Sequence, residues 1–184
     1  MLIRDADPTR DAGACATIYS PFVTDSAVSM EDRAPDEREY ALRIERISRT
    51  HPWLVADRDG AVIGFAYGSP HRERAGYRWA ADVAVYVSAA ERRRGVGRAL
   101  YGALLPLLAR QGVYVACAGI TLPNDASVAL HEALGFTPVG VYRGIGFKYG
   151  SWRDVGWWQA ELIPHDGPPA VSPGPPVRFE TGEA

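Results

Sequence analysis

The sequence predicts an α/β fold built on one mixed β-sheet flanked by helices, and three observations carry that expectation. Residues 53–56 and 61–68 are β-branched and aromatic runs that bracket Arg58-Asp59-Gly60. The Asp-Gly pair suits a tight turn with positive φ, so these runs form a hairpin and give the sheet an antiparallel portion. Strand and helix patterns then alternate through the second half, which predicts parallel strands with crossover helices. The full order is β-α-α-β-β-β followed by α-β-α-β-β, and 184 residues suffice for one domain with a substantial core.

The elements follow in sequence. Residues 2–4 form a short strand, and Asp7-Pro8-Thr9 caps a helix over 10–22 with Ala14, Ile18 and Phe22 at helical spacing. Residues 24–33 are polar and aperiodic, hence a loop. A second helix over 35–49 turns Leu42, Ile44 and Ile47 inward, and His51-Pro52 ends it. Residues 79–87 form a strand, 97–111 an apolar helix closed by Gly112, 114–121 a buried strand, and 124–134 a helix closed by Gly135. Residues 139–147 and 155–162 are late strands. Pro106 removes a backbone donor and crowds the Gly102 carbonyl, so a kink is expected there. The domain covers 1–163. The tail 164–184, with its GPPAVSPGPP run, reads as an extended, solvated end.

Composition narrows the function classes. A net charge of -2 lacks the basic excess of a nucleic-acid binder, so no nucleic-acid partner is expected. The two cysteines, Cys15 and Cys117, stand in no metal-ligand or redox spacing; no metal is expected, and a reducing cytoplasm suits them. No window approaches the roughly 18 apolar residues of a membrane span, and the N-terminus lacks an apolar signal core, so no membrane partner is expected.

Chemistry concentrates in VYVSAAERRRGVGRALY, residues 85–101. A strand, a basic glycine-rich turn and a helix start make an anion site, because free N–H groups and the helix dipole point out of the first turn. Gly95 and Gly97 admit close backbone approach, and Arg92, Arg93, Arg94 and Arg98 add positive charge around Val96. The pattern is neither a P-loop nor a dinucleotide fingerprint. Its plain alternative is a solvated charged loop capping a helix. Two features weigh against that alternative: a second helix start at Leu122-Pro123-Asn124-Asp125-Ala126-Ser127, and His131-Glu132-Ala133-Leu134-Gly135-Phe136. An acid within a β-rich run is unfavourable unless it serves something, which singles out Asp82 in YRWAADVAVYV.

Together, Arg92-x-x-Gly95-x-Gly97, the Asn124 helix start and the Leu134-Gly135-Phe136 end resemble the GNAT N-acetyltransferase superfamily. YGSPHRERAGYRW, VALHEALGF and GFKYGSWRDVGWWQ further resemble its phosphinothricin and methionine sulfoximine N-acetyltransferases. The resemblance implies an acyl-CoA N-acyltransferase fold in which two parallel strands splay, here those ending near Val87 and Thr121. It implies acetyl-CoA as co-substrate, with the backbone of Val85, Tyr86 and Val87 pairing to the pantetheine arm, residues 92–98 holding the pyrophosphate, and Asn124 bonding the pantetheine. It implies Asp82 as base and His131 as acid toward the departing thiolate or as a substrate-orienting group. Arg72, Arg74, Tyr77 and Met30 would meet a small amino-acid-like acceptor. Trp152, Trp157 and Trp158 would serve the core and a homodimer contact. Two alternatives stay open: a non-catalytic acyl-CoA-binding module, and an acetyltransferase for a peptide N-terminus or a polyamine.

Overall fold

Seven strands form one sheet in the order β1-β2-β3-β4-β5-β7-β6 in the computed structural model, which describes residues 1–169 and 171–179. The elements are β1 (Leu2–Asp5), α1 (Pro8–Thr24), α2 (Glu37–Ser48), β2 (Trp53–Arg58), β3 (Ala61–Pro70), β4 (Ala80–Val87), α3 (Val96–Gln111), β5 (Val115–Leu122), α4 (Asp125–Glu132), β6 (Thr137–Lys148) and β7 (Ser151–Glu161). The mixed sheet agrees with the sequence, but its parallel content is smaller than alternation implies. Only β4 and β5 pair in parallel; every other neighbouring pair is antiparallel. The reason lies in the turn Tyr149-Gly150, with φ of 53° and 69°, which reverses the chain so that β7 inserts between β5 and β6. The Asp59-Gly60 turn has the expected positive φ values, 55° and 85°.

The sheet has two apolar faces, because alternate strand residues point to opposite sides. Trp53, Val55 and Phe65 bury against α1 and α2, together with Cys15, Tyr19, Tyr40 and Ile44. Leu54, Ala56, Ala66 and Val83 bury on the other face against Leu100, Leu104 and Leu108 of α3. Helix α1 starts where Asp7 accepts hydrogen bonds from the Thr9 and Arg10 amides, with Pro8 in the first turn. Asp36 and Glu39 form a reciprocal capping box on α2.

The inward stripe of α2 differs from the expectation. Tyr40 and Ile44 are buried, whereas Leu42 is 57% exposed. Residues 40, 44 and 47 share a face at the 3.6-residue period, and Leu42 lies about 200° around from Tyr40. Helix α3 runs on through Pro106 to Gly112, whose φ is 98°.

The tail also differs from a solvated end. The Trp79 indole donates to the Val171 carbonyl at 3.1 Å, the Gly174 amide donates to the Gln111 carbonyl at 2.8 Å, and Val177 and Phe179 pack on the α3-side core. Residues 170 and 180–184 of that expected tail lie outside the described residues. No helix of the described residues is long and apolar enough to cross a membrane.

Candidate active site

The sheet opens at β4 and β5. Their pairing covers Ala80↔Val115, Ala81↔Ala116 and Asp82↔Cys117, and stops there. Beyond it, β5 stays with β7 as far as Leu122, while residues 83–87 of β4 pair only with β3. The splay expected between strands ending near Val87 and Thr121 is present. The Ser88 amide bonds the Ile63 carbonyl at 3.0 Å on the β3 side. Because backbone direction alternates along a strand, Val85 and Val87 turn their N–H groups into the open side.

The chain leaves that edge through a turn of unusual backbone. Arg93 has φ 60° and Gly95 φ 81°, the latter as N-cap of α3 without any side-chain capping bond. The first intrahelical bond runs from the Ala99 amide to the Gly95 carbonyl at 2.9 Å. The amides of Val96, Gly97 and Arg98 therefore precede it and face outward as unpaired donors. A Cβ on Gly97 would lie 3.1 Å from Leu130 and 3.8 Å from Val87, so glycine keeps the helix start close to both the open edge and α4. Arg92 lies over the Phe22 ring, 5.3 Å from its centroid. Arg94 lies 3.5 Å from Glu91, which also pairs with Arg58 at 2.5 Å. Arg93 and Arg98 form no ion pair among the described residues. Asn124 caps α4 by accepting the Ser127 amide at 3.2 Å, across the opening from β4. This array suits a ligand with amide groups along its length and a polyanionic end.

Asp82 occupies the apex, as the last β4 residue paired with β5. Its side chain shares the α1/α2 face with Tyr86, since Val83 points to the α3 side. Asp82 Oδ1 lies 2.6 Å from Nδ1 of His71, one residue beyond β3. Burial raises the Asp82 pKa, and the His71 contact and the Arg72 charge pull against that rise. His71 Nδ1, an Asp82 oxygen and Cys117 Sγ all lie within 4.8 Å of one another. Burial pushes the Cys117 thiol up to about 11, so it stays protonated at neutral pH.

The His71 ring is held edge-on between Tyr77, at 6.2 Å, and Trp157, at 5.9 Å. Trp157 lies against Gly119, where a Cβ would come within 3.2 Å of the indole. Arg72 extends over the same indole at 5.8 Å, and the Trp157 N–H is buried without an acceptor among the described residues. The three tryptophans thus divide. Trp158 is core and donates to Glu132 at 3.2 Å, Trp152 is 69% exposed, and Trp157 belongs to this cluster.

Asp82, Arg72 and Tyr77 converge; the other expected acceptor-side residues stand apart. Arg74 is exposed, on the loop that turns at Ala75–Tyr77. Met30 sits against Gly146 of β6 on a loop pinned from two sides. Buried Lys148 donates to the carbonyls of Val23, Ser29 and Glu31 at 2.7–2.8 Å, and Thr121 donates to the Val28 carbonyl at 3.1 Å. His131 is 4% exposed, with Tyr101 and Phe136 packed against its ring on the α3 side of the sheet, opposite Asp82. Its Nδ1 is 2.7 Å from the Ser127 carbonyl and therefore carries the hydrogen, which leaves Nε2 to accept from the Tyr101 hydroxyl at 3.1 Å. Burial lowers its pKa.

Sequence reasoning did not single out His71 or Lys148. His71 lies in a nine-residue connection whose path no periodicity fixes. Lys148 ends a strand and looks like an ordinary solvated lysine.

Comparison with known proteins is consistent with this geometry. A profile of the acetyltransferase (GNAT) family matches residues 18–136. The phosphinothricin N-acetyltransferase of Streptomyces viridochromogenes is 40% identical over 152 residues, covering 83% of each chain. An L-methionine sulfoximine/L-methionine sulfone acetyltransferase of Salmonella typhimurium is 35% identical, covering 92% of this chain and 99% of that protein. The crystal structure of a phosphinothricin acetyltransferase from Sinorhizobium meliloti in complex with acetyl-CoA superposes with a TM-score of 0.82 at 36% identity, over 87% of each chain. With a profile covering more than half its length and relatives above 30% identity, this chain belongs to the acetyltransferase (GNAT) family.

Proposed function

We propose that the protein is an acetyl-CoA-dependent N-acetyltransferase whose acceptor is a small amino-acid-like amine of the phosphinothricin or methionine sulfoximine type. One observation carries this reading: a carboxylate stands at the apex of the opened β4/β5 pair, between an unpaired strand edge and a cluster of anion-seeking donors.

The chain's free donors fit acetyl-CoA. The edge of Val85, Tyr86 and Val87 suits strand-like pairing with the pantetheine amides. The amides of Val96, Gly97 and Arg98 suit the pyrophosphate, with Arg92, Arg93 and Arg94 raising the local potential. Asn124 holds the far side through its free amide. When bound, acetyl-CoA supplies an acetyl group activated as a thioester. The Val85 N–H, directed into the opening, polarises the acyl carbonyl. Asp82 drives removal of a proton from the acceptor ammonium, which cannot attack while protonated.

On the acceptor side, Arg72 is a bidentate cation for a carboxylate or phosphinyl group, and the buried Trp157 N–H gains an acceptor from the same ligand. Tyr77 borders this pocket, while Arg74 and Met30 act at its outer edge. His131 acts by holding α4 and Tyr101 rather than in proton transfer, because both ring nitrogens are already engaged.

The experiment is thiol release from acetyl-CoA over a panel of phosphinothricin, methionine sulfoximine, methionine sulfone, polyamines and peptides. Release with the first three is expected. Release only with polyamines or peptides overturns the acceptor assignment. Trp157→Phe should raise KM for the acidic acceptor about 5-fold, the worth of one hydrogen bond of about 1 kcal/mol, without changing KM for acetyl-CoA; equal KM values for the acceptor would remove Trp157 from the pocket.

The hairpin of β6 and β7 exposes Val139, Val141, Tyr142, Ile145, Phe147, Tyr149 and Trp152. That apolar concentration supports a homodimer formed through this face. Light scattering should give a mass twice 20.0 kDa, and a single-chain mass would refute the dimer. Both cysteines are free thiols, which suits the cytoplasm.

A further inference from the structure

We propose that His71 is the atom-level base of this site: its Nε2 takes the proton from the acceptor ammonium, and Asp82 orients and charges it as the second member of a carboxylate–imidazole dyad. The proposal rests on the acetyltransferase reading and specifies how its proton moves.

The dyad begins with the contact between Asp82 Oδ1 and His71 Nδ1 at 2.6 Å. An ionised carboxylate only accepts, so Nδ1 carries the hydrogen and Nε2 keeps its lone pair. Nε2 has no hydrogen-bond partner among the described residues, unlike either nitrogen of His131. The two histidines therefore differ in kind. His131 is closed into the core, whereas His71 is fixed at one end and open at the other.

The ring cannot readily swing away. Tyr77 and Trp157 hold it edge-on from two sides, and the Asp82 bond fixes its rotation. The same Trp157 carries Arg72 over its face, so a ligand whose acid group meets Arg72 lies beside the His71 ring.

Chemistry favours imidazole as acceptor of the proton. A general base works best with a pKa near the operating pH, and an ordinary histidine lies near 6.5 against about 4 for a carboxylate. Asp82 is also a short side chain whose Oδ1 already faces the ring. The charged and titratable groups around His71 are few. Asp82 on β4 stabilises an imidazolium, Arg72 in the same loop opposes it, Cys117 on β5 stays a neutral thiol, and Tyr77 meets the ring edge. Trp157 on β7 is uncharged.

The step balances. One ammonium proton passes to Nε2, the free amine forms an N–C bond to the acyl carbon as the C–S bond breaks, the second nitrogen proton leaves with the thiolate as thiol, and Nε2 returns its proton to solvent. The sum is one ammonium and one thioester giving one amide, one thiol and one proton.

The test compares kcat/KM against pH for the full chain with acetyl-CoA and methionine sulfoximine. His71→Asn, which keeps a donor toward Asp82 but no base, should lose roughly 10²-fold at pH 7 with KM for acetyl-CoA unchanged. The loss should shrink toward pH 9–10, where the acceptor amine sheds its proton unaided. His71→Ala should recover part of its rate on addition of free imidazole, an effect that a structural role does not produce, and its unfolding midpoint checks that it folds. A His71→Asn enzyme with the wild-type pH profile, or a His71→Ala enzyme that imidazole does not revive, overturns the dyad while leaving the acetyltransferase reading intact. A wild-type protein that releases no thiol with any panel acceptor overturns that reading, and the dyad with it.

Discussion

Asp82→Asn should lower kcat/KM for an acidic acceptor by about 10²–10³-fold at neutral pH, the range that removal of a general acid–base group costs. The substitution preserves shape at the apex, so acetyl-CoA should bind as before and the loss should fall on the acceptor reaction. Burial raises the Asp82 pKa, and the work requires its ionised form. The wild-type rate should therefore fall as pH drops, because protonation of either member of the Asp82–His71 pair breaks the dyad. In Asp82→Asn the rate should be low across the range and climb with pH as free amine accumulates. Steady-state kinetics between pH 5 and 10 check this; an Asp82→Asn enzyme with full activity at pH 7 would remove the carboxylate from the mechanism.

Gly156→Ala should be the most damaging single methyl group in the sheet. A Cβ there would lie 2.4 Å and 2.8 Å from ring atoms of Trp158 and 3.2 Å from Leu122. Trp158 is buried against the α3-side core and bonded to Glu132, so it cannot move aside freely. Overpacking of this kind costs about 1–3 kcal/mol, which for a chain of this size lowers Tm by roughly 2–12 °C. Thermal unfolding followed by circular dichroism reads it directly. Because Gly156 precedes Trp157, the variant should also weaken acceptor binding at permissive temperature. An unchanged Tm would mean that β7 has slack that its packing does not suggest.

How far residues alone reveal this protein depends on which ones are asked. The strands and helices were legible because apolar periodicity is local, and the Gly112 end of α3 because positive φ leaves few choices of residue. The opened edge and the glycine-rich turn after it were legible because the two are adjacent in sequence. Leu42 misled because every apolar residue of a short helix looks inward until the stripe is fixed by its neighbours, here Tyr40 and Ile44. The position of β7 was not legible, because strand order is decided by which edge is free when a hairpin docks. Nor was the cluster around Asp82 complete. Its histidine comes from the β3–β4 connection, its carboxylate from β4 and its indole from β7, and no single stretch of chain contains the arrangement.

The short parallel pairing has a mechanical side. Strands β1 to β4 form one leaf and β5 to β7 another, and among the described residues the two are paired along a short seam, Ala80↔Val115 to Asp82↔Cys117, with the Tyr114 and Val115 amides donating to the Trp79 carbonyl at its start. Asp82, His71 and the start of α3 belong to the first leaf, while Cys117, Asn124 and Trp157 belong to the second. The seam between the leaves thus runs through the candidate site itself. Any tilt of one leaf against the other changes the spacing of His71 and Trp157 directly, and anything held between the leaves stiffens the whole sheet. In this molecule the seam that joins the two halves of the sheet is also the one that spaces these side chains.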